Sequence, residues 1–116
     1  MISALVGHFV GDYLLQNDWM AQNKKASTFH CVVHCGVWTA CVMAAVAIAG
    51  EAWPLWAALP LFATHFVQDR TKIINWYMAT VGQSKFAQPP MSPWSIIVVD
   101  NVWHIVTIWA VWLIVR

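Results

Sequence analysis

The sequence predicts an all-α fold: an integral-membrane four-helix bundle, built as two pseudo-repeated helix hairpins with both termini outside. Three observations carry this prediction. The 116 residues are 60% hydrophobic and only 9% charged, where a soluble domain has about 25% charged residues. Four apolar runs follow one another, with too few polar residues to cover the outer faces of a soluble bundle. The phrase His8-Phe9-Val10-Gly11-Asp12 returns as His65-Phe66-Val67-Gln68-Asp69, and a tryptophan, Trp19 or Trp76, follows each Asp by seven residues.

Residues 1–116 form a single transmembrane domain on length alone. Nine tryptophans and a mean hydropathy of +0.60 agree with a lipid environment. A net charge of +1 with no basic stripe excludes a nucleic-acid partner.

The first helix is expected over about residues 2–16. It lacks the basic start of a secretory signal and carries His8 and Asp12, so it reads as a retained helix. It is short for a span of about 20 residues, which thins the bilayer locally. Gly7 and Gly11 form a small-xxx-small pair that lets another helix approach closely. Residues 17–27 read as a polar connection, with Trp19 an interfacial anchor and Lys24 and Lys25 marking a cytoplasmic side.

The second helix is expected over about 28–49, N-capped by Ser27 or Thr28. It carries His30, His34 and all three cysteines. Cys31 and Cys35 read as apolar thiols in a helix interface or, more sharply, as metal ligands beside His34. A tight turn at Gly50-Glu51-Ala52 leads to the third helix, about 53–78, with Pro60 expected to kink it. The loop from Ala79 to Ser92 contains Gly82, Pro89 and Pro90. The fourth helix runs over about 93–115, with Pro93 in its first turn and Asp100 and His104 within it.

Basic residues set the orientation. Lys24, Lys25, Arg70, Lys72 and Lys85 fall at loops one and three, whereas loop two has only Glu51. Loops one and three therefore lie in the cytoplasm, in a multi-pass protein of the bacterial inner membrane.

Counted from helix ends at Asn17, Thr28, Met78 and Pro93, seven ionisable groups share one depth. His8, Asp12, His34, His65, Asp69, Asp100 and His104 fall within about 12 Å at 1.5 Å per residue. Three of the pairs are i,i+4, so each shares a helix face. Such groups are costly in hydrocarbon and point into a protein interior. His30, nearest the interface, reads as a headgroup-level residue. Phe9 and Phe66 read as packing residues, and Gln16, Gln68 and Asn101 as hydrogen-bond partners of the band.

Imidazole and carboxylate together suit Zn, Fe or Mn, as one ion or two. Helical His/carboxylate pairs in a bundle are how such sites are built. The seven residues are the candidate ligands, and Asp12, Asp69 and Asp100 the candidate catalytic carboxylates. Arg70 and Lys72 are expected at the mouth, holding an anionic part of a membrane-associated substrate. The reading that follows is metal-dependent hydrolysis. Two alternatives stay open: an oligomeric proton or cation path, for which the Gly7/Gly11 and Ala40/Ala44 faces would serve a homo-oligomer, and an interaction protein with the polar band as internal glue.

The stretch from His8 to Lys25, with its core Gly11-Asp12-Tyr13-Leu14-Leu15-Gln16, is followed by His34, by Thr64 to Asp69 with Lys72, and by Asp100-Asn101-Val102-Trp103-His104. Over nearly the whole chain this resembles the bacterial and phage membrane family called domain of unknown function 3307. That family typically reads Asp-Gln-x-x-His in the last helix, so Asn101 departs from it. The resemblance implies a small polytopic membrane protein and brings no activity with it. The family's His/Asp pattern is similar to that of membrane-bound metal-dependent hydrolases. Its occurrence in phage implies host takeover or exclusion as a further alternative.

Overall fold

The computed structural model describes residues 1–116. The chain is all-helical. Helix α1 (Ile2–Phe9) continues directly into a π-helical turn (Val10–Leu14). Then come α2 (Asp18–Asn23), α3 (Thr28–Ile48), a 3-10 turn (Leu55–Ala57), α4 (Ala58–Arg70), α5 (Ile73–Thr80) and α6 (Trp94–Val115). Helix α3 packs between α1 and α4, and α6 touches both α4 and α1.

Only α3 and α6, of 21 and 22 residues, are long and apolar enough to cross a membrane. At 1.5 Å per residue they reach about 31 and 33 Å, matching a hydrocarbon core of about 30 Å. The other two expected spans are shorter than the sequence suggests. The first ends at Leu14 rather than residue 16. Its last turn is π-helical, closed by the i→i+5 bond from Leu15 N–H to Val10 O at 2.9 Å.

The expected helix over 53–78 is three pieces. Pro60 does not kink it, because it sits in the first turn of α4, where no intrahelical N–H partner is required. The break comes at Thr71, whose backbone is extended and whose hydroxyl accepts from Ile73 N–H at 3.2 Å.

Residues 17–27 are not simply a polar connection. Asn17 accepts from Met20 N–H at 3.0 Å and caps α2. Ser27 occupies the N-cap of α3, but its hydroxyl meets His30 Nδ1 at 2.7 Å instead of capping. Helix α3 stops one residue before the expected end. Gly50, at φ +74°, forms a Schellman turn, with Glu51 N–H bonding Val46 O at 3.0 Å. Pro93 stands at the N-cap of α6, one place before its expected position.

The close approach expected of Gly7 and Gly11 is present. A Cβ on Gly7 would lie 2.6 Å from Cys41 O and Val42 Cα, and one on Gly11 would lie 2.9 Å from Trp38 Cα. The backbones of α1 and α3 therefore touch where both glycines face α3.

The interior has two zones. Ala4, Val42, Val46, Ala57, Leu61, Ile108 and Val111 form an apolar cluster, with Trp38 at its border. Outside this cluster the buried residues include His8, Asp12, His34, His65, Asp69 and His104, with Ile74 and Met78 of α5. Of 24 buried residues, nine are polar or charged, well above what a soluble core of this size carries. The outside is apolar: Ile48 and Leu55 are each 87% exposed, and only 17% of the most apolar window of α6 is buried. The chain thus hides its polar groups and displays its hydrocarbon, the reverse of a soluble domain.

Candidate metal centre

Four segments bring their ionisable side chains to one point. Helix α1 supplies His8 and its π turn Asp12. Helix α3 supplies His34, α4 supplies His65 and Asp69, and α6 supplies Asp100 and His104. All are buried except Asp100, which is partly exposed. The i,i+4 pairs expected from the spacing all close: His8 Nδ1 to Asp12 Oδ2 at 3.3 Å, His65 Nε2 to Asp69 Oδ2 at 3.2 Å, and His104 Nε2 to Asp100 Oδ2 at 3.5 Å.

Contacts between helices define the centre. His34 Nε2 lies 3.0 Å from His65 Nε2, 3.0 Å from Asp69 Oδ2 and 3.2 Å from Asp12 Oδ1. His65 Nε2 lies 3.6 Å from Asp12 Oδ1. Four atoms of four residues, on two helices and the π turn, thus stand 3.0–3.6 Å apart along these edges. A tetrahedral site with bonds of about 2.0–2.1 Å has ligand–ligand edges of roughly 3.3 Å.

Two imidazole nitrogens and two carboxylate oxygens aimed at one another are mutually repulsive unless a proton or cation lies among them. Asp12 Oδ1 and the Nδ1 atoms of His34 and His65 have no hydrogen-bond partner in the protein. Three groups could each hold an ion, with ligand atoms within 4.8 Å of one another: Asp12, His65 and His104; His34, His65 and Asp69; and Asp69, Asp100 and His104.

The histidines differ in what fixes them. Gln68 Oε1 is hydrogen-bonded to His104 Nδ1. Since that oxygen only accepts, Nδ1 donates to it, and Nε2 is the atom turned to the carboxylates. A hydrogen bond on the far nitrogen is how ligating histidines are oriented. The ring of His65 stacks against both Trp38 and His104, with centroids 4.1 Å from each.

His8 is turned to another use. Trp38 Nε1–H donates to His8 Nδ1 at 3.0 Å, and His8 belongs to none of the three groups. The spacing pairs His8 with Asp12, whereas the tryptophan contact crosses from α1 to α3 and has no signal in the sequence.

A family model described as "Protein of unknown function (DUF3307)" matches residues 1–116. The chain belongs to this family. No curated protein and no solved structure matches it.

In this member of DUF3307 the cluster opens into a cavity of about 320 Å³, lined among others by Asp12, Asp69, Asp100, Tyr13, Lys24 and Lys25. Lys24 Nζ lies 2.8 Å from Asp69 Oδ2, and Lys25 Nζ donates to Asp69 O at 3.2 Å. Burial opposes the charge on Lys24, but Asp69 more than offsets it and raises the ammonium above the ordinary lysine pKa.

The two cations expected at the mouth are elsewhere. Arg70 donates to Lys25 O at 2.8 Å and to Thr28 Oγ1 at 3.4 Å, tying loop one to α4, and Lys72 is exposed. Neither lines the cavity. Lys24 and Lys25 read in the sequence only as markers of membrane side. No local signal shows that a capped α2 folds them back over the cluster.

The remaining residues settle simply. Cys31 and Cys35, with Sγ atoms 3.8 Å apart, are buried thiols outside the three groups. His30 packs on Trp19 away from the cluster, with centroids 4.2 Å apart. Of the expected hydrogen-bond partners only Gln68 reaches a ligand side chain. Gln16 bonds Asp12 O at 3.1 Å, and Asn101 bonds Ile97 O at 2.9 Å.

Proposed function

We propose that this is a multi-pass membrane protein that holds a divalent transition metal ion, Zn, Fe or Mn, and hydrolyses a membrane-associated substrate reaching it from the cytoplasmic side. The observation that carries the reading is the set of 3.0–3.6 Å edges among His34 Nε2, His65 Nε2, Asp12 Oδ1 and Asp69 Oδ2. These four residues would hold the ion. Bound there, it acts as a Lewis acid toward a carbonyl or phosphoryl oxygen.

The protein's own groups do the rest. Asp100, the partly exposed carboxylate on the cavity wall, has an oxygen with no partner and takes the proton of the attacking water. Lys24 and Lys25 hold the anionic part of the substrate. Trp38 and the apolar cluster behind it exclude water from the far side.

The membrane reading rests on the apolar exterior around a polar interior. Helices α3 and α6 cross fully, while α1 with its π turn and α4 are short crossings around which the bilayer thins. In this reading the cavity mouth faces the cytoplasm and both termini lie outside; the basic residues Lys24 and Lys25 at the mouth support it.

Elemental analysis of detergent-purified protein, wild type beside His65→Ala/Asp69→Ala, tests the proposal. Stoichiometric metal in the wild type and none in the double variant is the expected result. Metal-free protein in both samples, each still folded, would move the reading to a cation path or an interaction protein.

A further inference from the structure

We infer that the centre is built for two ions, bridged by Asp12 and Asp69. This rests on the metal reading above and goes beyond the single ion that reading requires. Both carboxylates are split between two sets of partners. Asp12 turns Oδ1 toward His34 and His65, at 3.2 and 3.6 Å, and Oδ2 toward His104 at 3.9 Å. Asp69 turns Oδ2 toward the same two histidines, at 3.0 and 3.2 Å, and Oδ1 toward His104 at 3.7 Å. One oxygen of each would serve a first ion, leaving the other oxygen of each on the side of His104.

That second side is complete in its own right. His104 turns Nε2 to this side while Gln68 holds Nδ1 across the ring. Asp100 adds Oδ2 at 3.5 Å from the same nitrogen. Asp69 is fully buried, and its Oδ1 has no hydrogen-bond partner in the protein although it faces this side. A buried carboxylate oxygen without a partner is costly. Asp69, Asp100 and His104 also form one of the three groups with metal-ligand spacing. A carboxylate shared by two metals 3.5–4 Å apart is a recurrent arrangement in two-metal hydrolytic sites.

The halves are unequal. The first offers two imidazole nitrogens and two carboxylate oxygens, which suits Zn. The second offers one imidazole and three carboxylate oxygens, which suits a harder ion such as Mn. The second ion is also nearer the cavity, through Asp100, and exchanges faster.

The test uses the full chain in detergent, stripped of metal and loaded with Mn²⁺. Stoichiometry is read by equilibrium dialysis and magnetic coupling by electron paramagnetic resonance. Wild type is expected to bind two ions and to give an exchange-coupled spectrum. Asp100→Asn, nearly isosteric and partly exposed, is expected to bind one and to give the six-line spectrum of an isolated ion. His104→Gln gives a second reading of the same side should one variant fold poorly. One isolated ion in the wild type as well as in the variants overturns the two-ion inference and leaves the single-ion reading standing. No ion in any sample overturns both.

Discussion

Lys24 Nζ and Asp69 Oδ2 are 2.8 Å apart, although the residues are separated by 45 positions in the chain. The oxygen concerned is the one that faces His34 and His65. An ammonium therefore competes with any metal for the same lone pairs. Lys24→Met in metal-free protein leaves a buried carboxylate with less counter-charge and costs about 3 kcal/mol of stability. The same change is expected to tighten Zn²⁺ binding severalfold, measured by competition with a chelator. Weaker binding in this variant would show that Lys24 supports the site instead of competing with it.

Gly7 and Gly36 make a matched pair. A Cβ on Gly7 runs into the backbone of α3, whereas one on Gly36 meets nothing within 4 Å. Gly7→Ala is expected to destabilise the protein by about 3 kcal/mol through overpacking. Gly36→Ala is expected to stabilise it by up to about 1 kcal/mol, since alanine is the better helix former. Thermal unfolding in one detergent compares the two. Equal midpoints would mean that α1 and α3 are not in backbone contact.

His8 separates metal binding from packing. His8→Gln keeps an acceptor for Trp38 Nε1–H, and His8→Leu removes it. The leucine variant is expected to lose about 1–3 kcal/mol, the cost of an unsatisfied buried donor. The glutamine variant is expected to lose less than about 1 kcal/mol. Both keep the metal content of the wild type, and its loss in the glutamine variant would return His8 to the ligand set.

Glu51 gives a pH dependence away from the cluster. The Ser3 hydroxyl and then the Met1 amino group hold its carboxyl below the ordinary range, and Trp53 Nε1–H donates to it at 3.2 Å. A carboxylate depressed in the folded state contributes stability above its unfolded pKa, and that contribution is lost as pH falls through the folded value. Wild type is expected to exceed Glu51→Gln by less than about 1 kcal/mol at neutral pH. The difference should vanish in acid. A gap that widens as pH falls would reverse the assignment.

Much of the centre could be read from spacing, because an i,i+4 pair on a helix keeps its meaning in any fold. The contacts of His65 with Asp69 and of His104 with Asp100 are of this kind. Helices α3 and α6 were likewise legible, since length and apolar composition are local properties. What was not legible depends on tertiary neighbours. The π turn at Val10–Leu14 forms where Gly11 lies against Trp38. Trp38 also takes up His8 Nδ1 with its indole N–H. The break at Thr71 uses a single hydroxyl, which leaves no mark on the pattern of apolar residues. The fold-back of Lys24 depends on the Asn17 cap, one hydrogen bond at 3.0 Å in a stretch that reads as a plain connector.

The contacts of Asp12 bear on how the chain is made. Its carboxylate meets His34, His65 and His104, all of them later in the sequence. On the membrane reading, the first helix enters the bilayer with an acidic group whose only early companion is His8, a placement that costs a few kcal/mol. Each later segment lowers that cost as it is synthesised, and His104 on α6 is the last of the three histidines to arrive. The centre is thus closed only when α6 is in place, and chains arrested before it would hold Asp12 and Asp69 by His34, His65 and Lys24 alone.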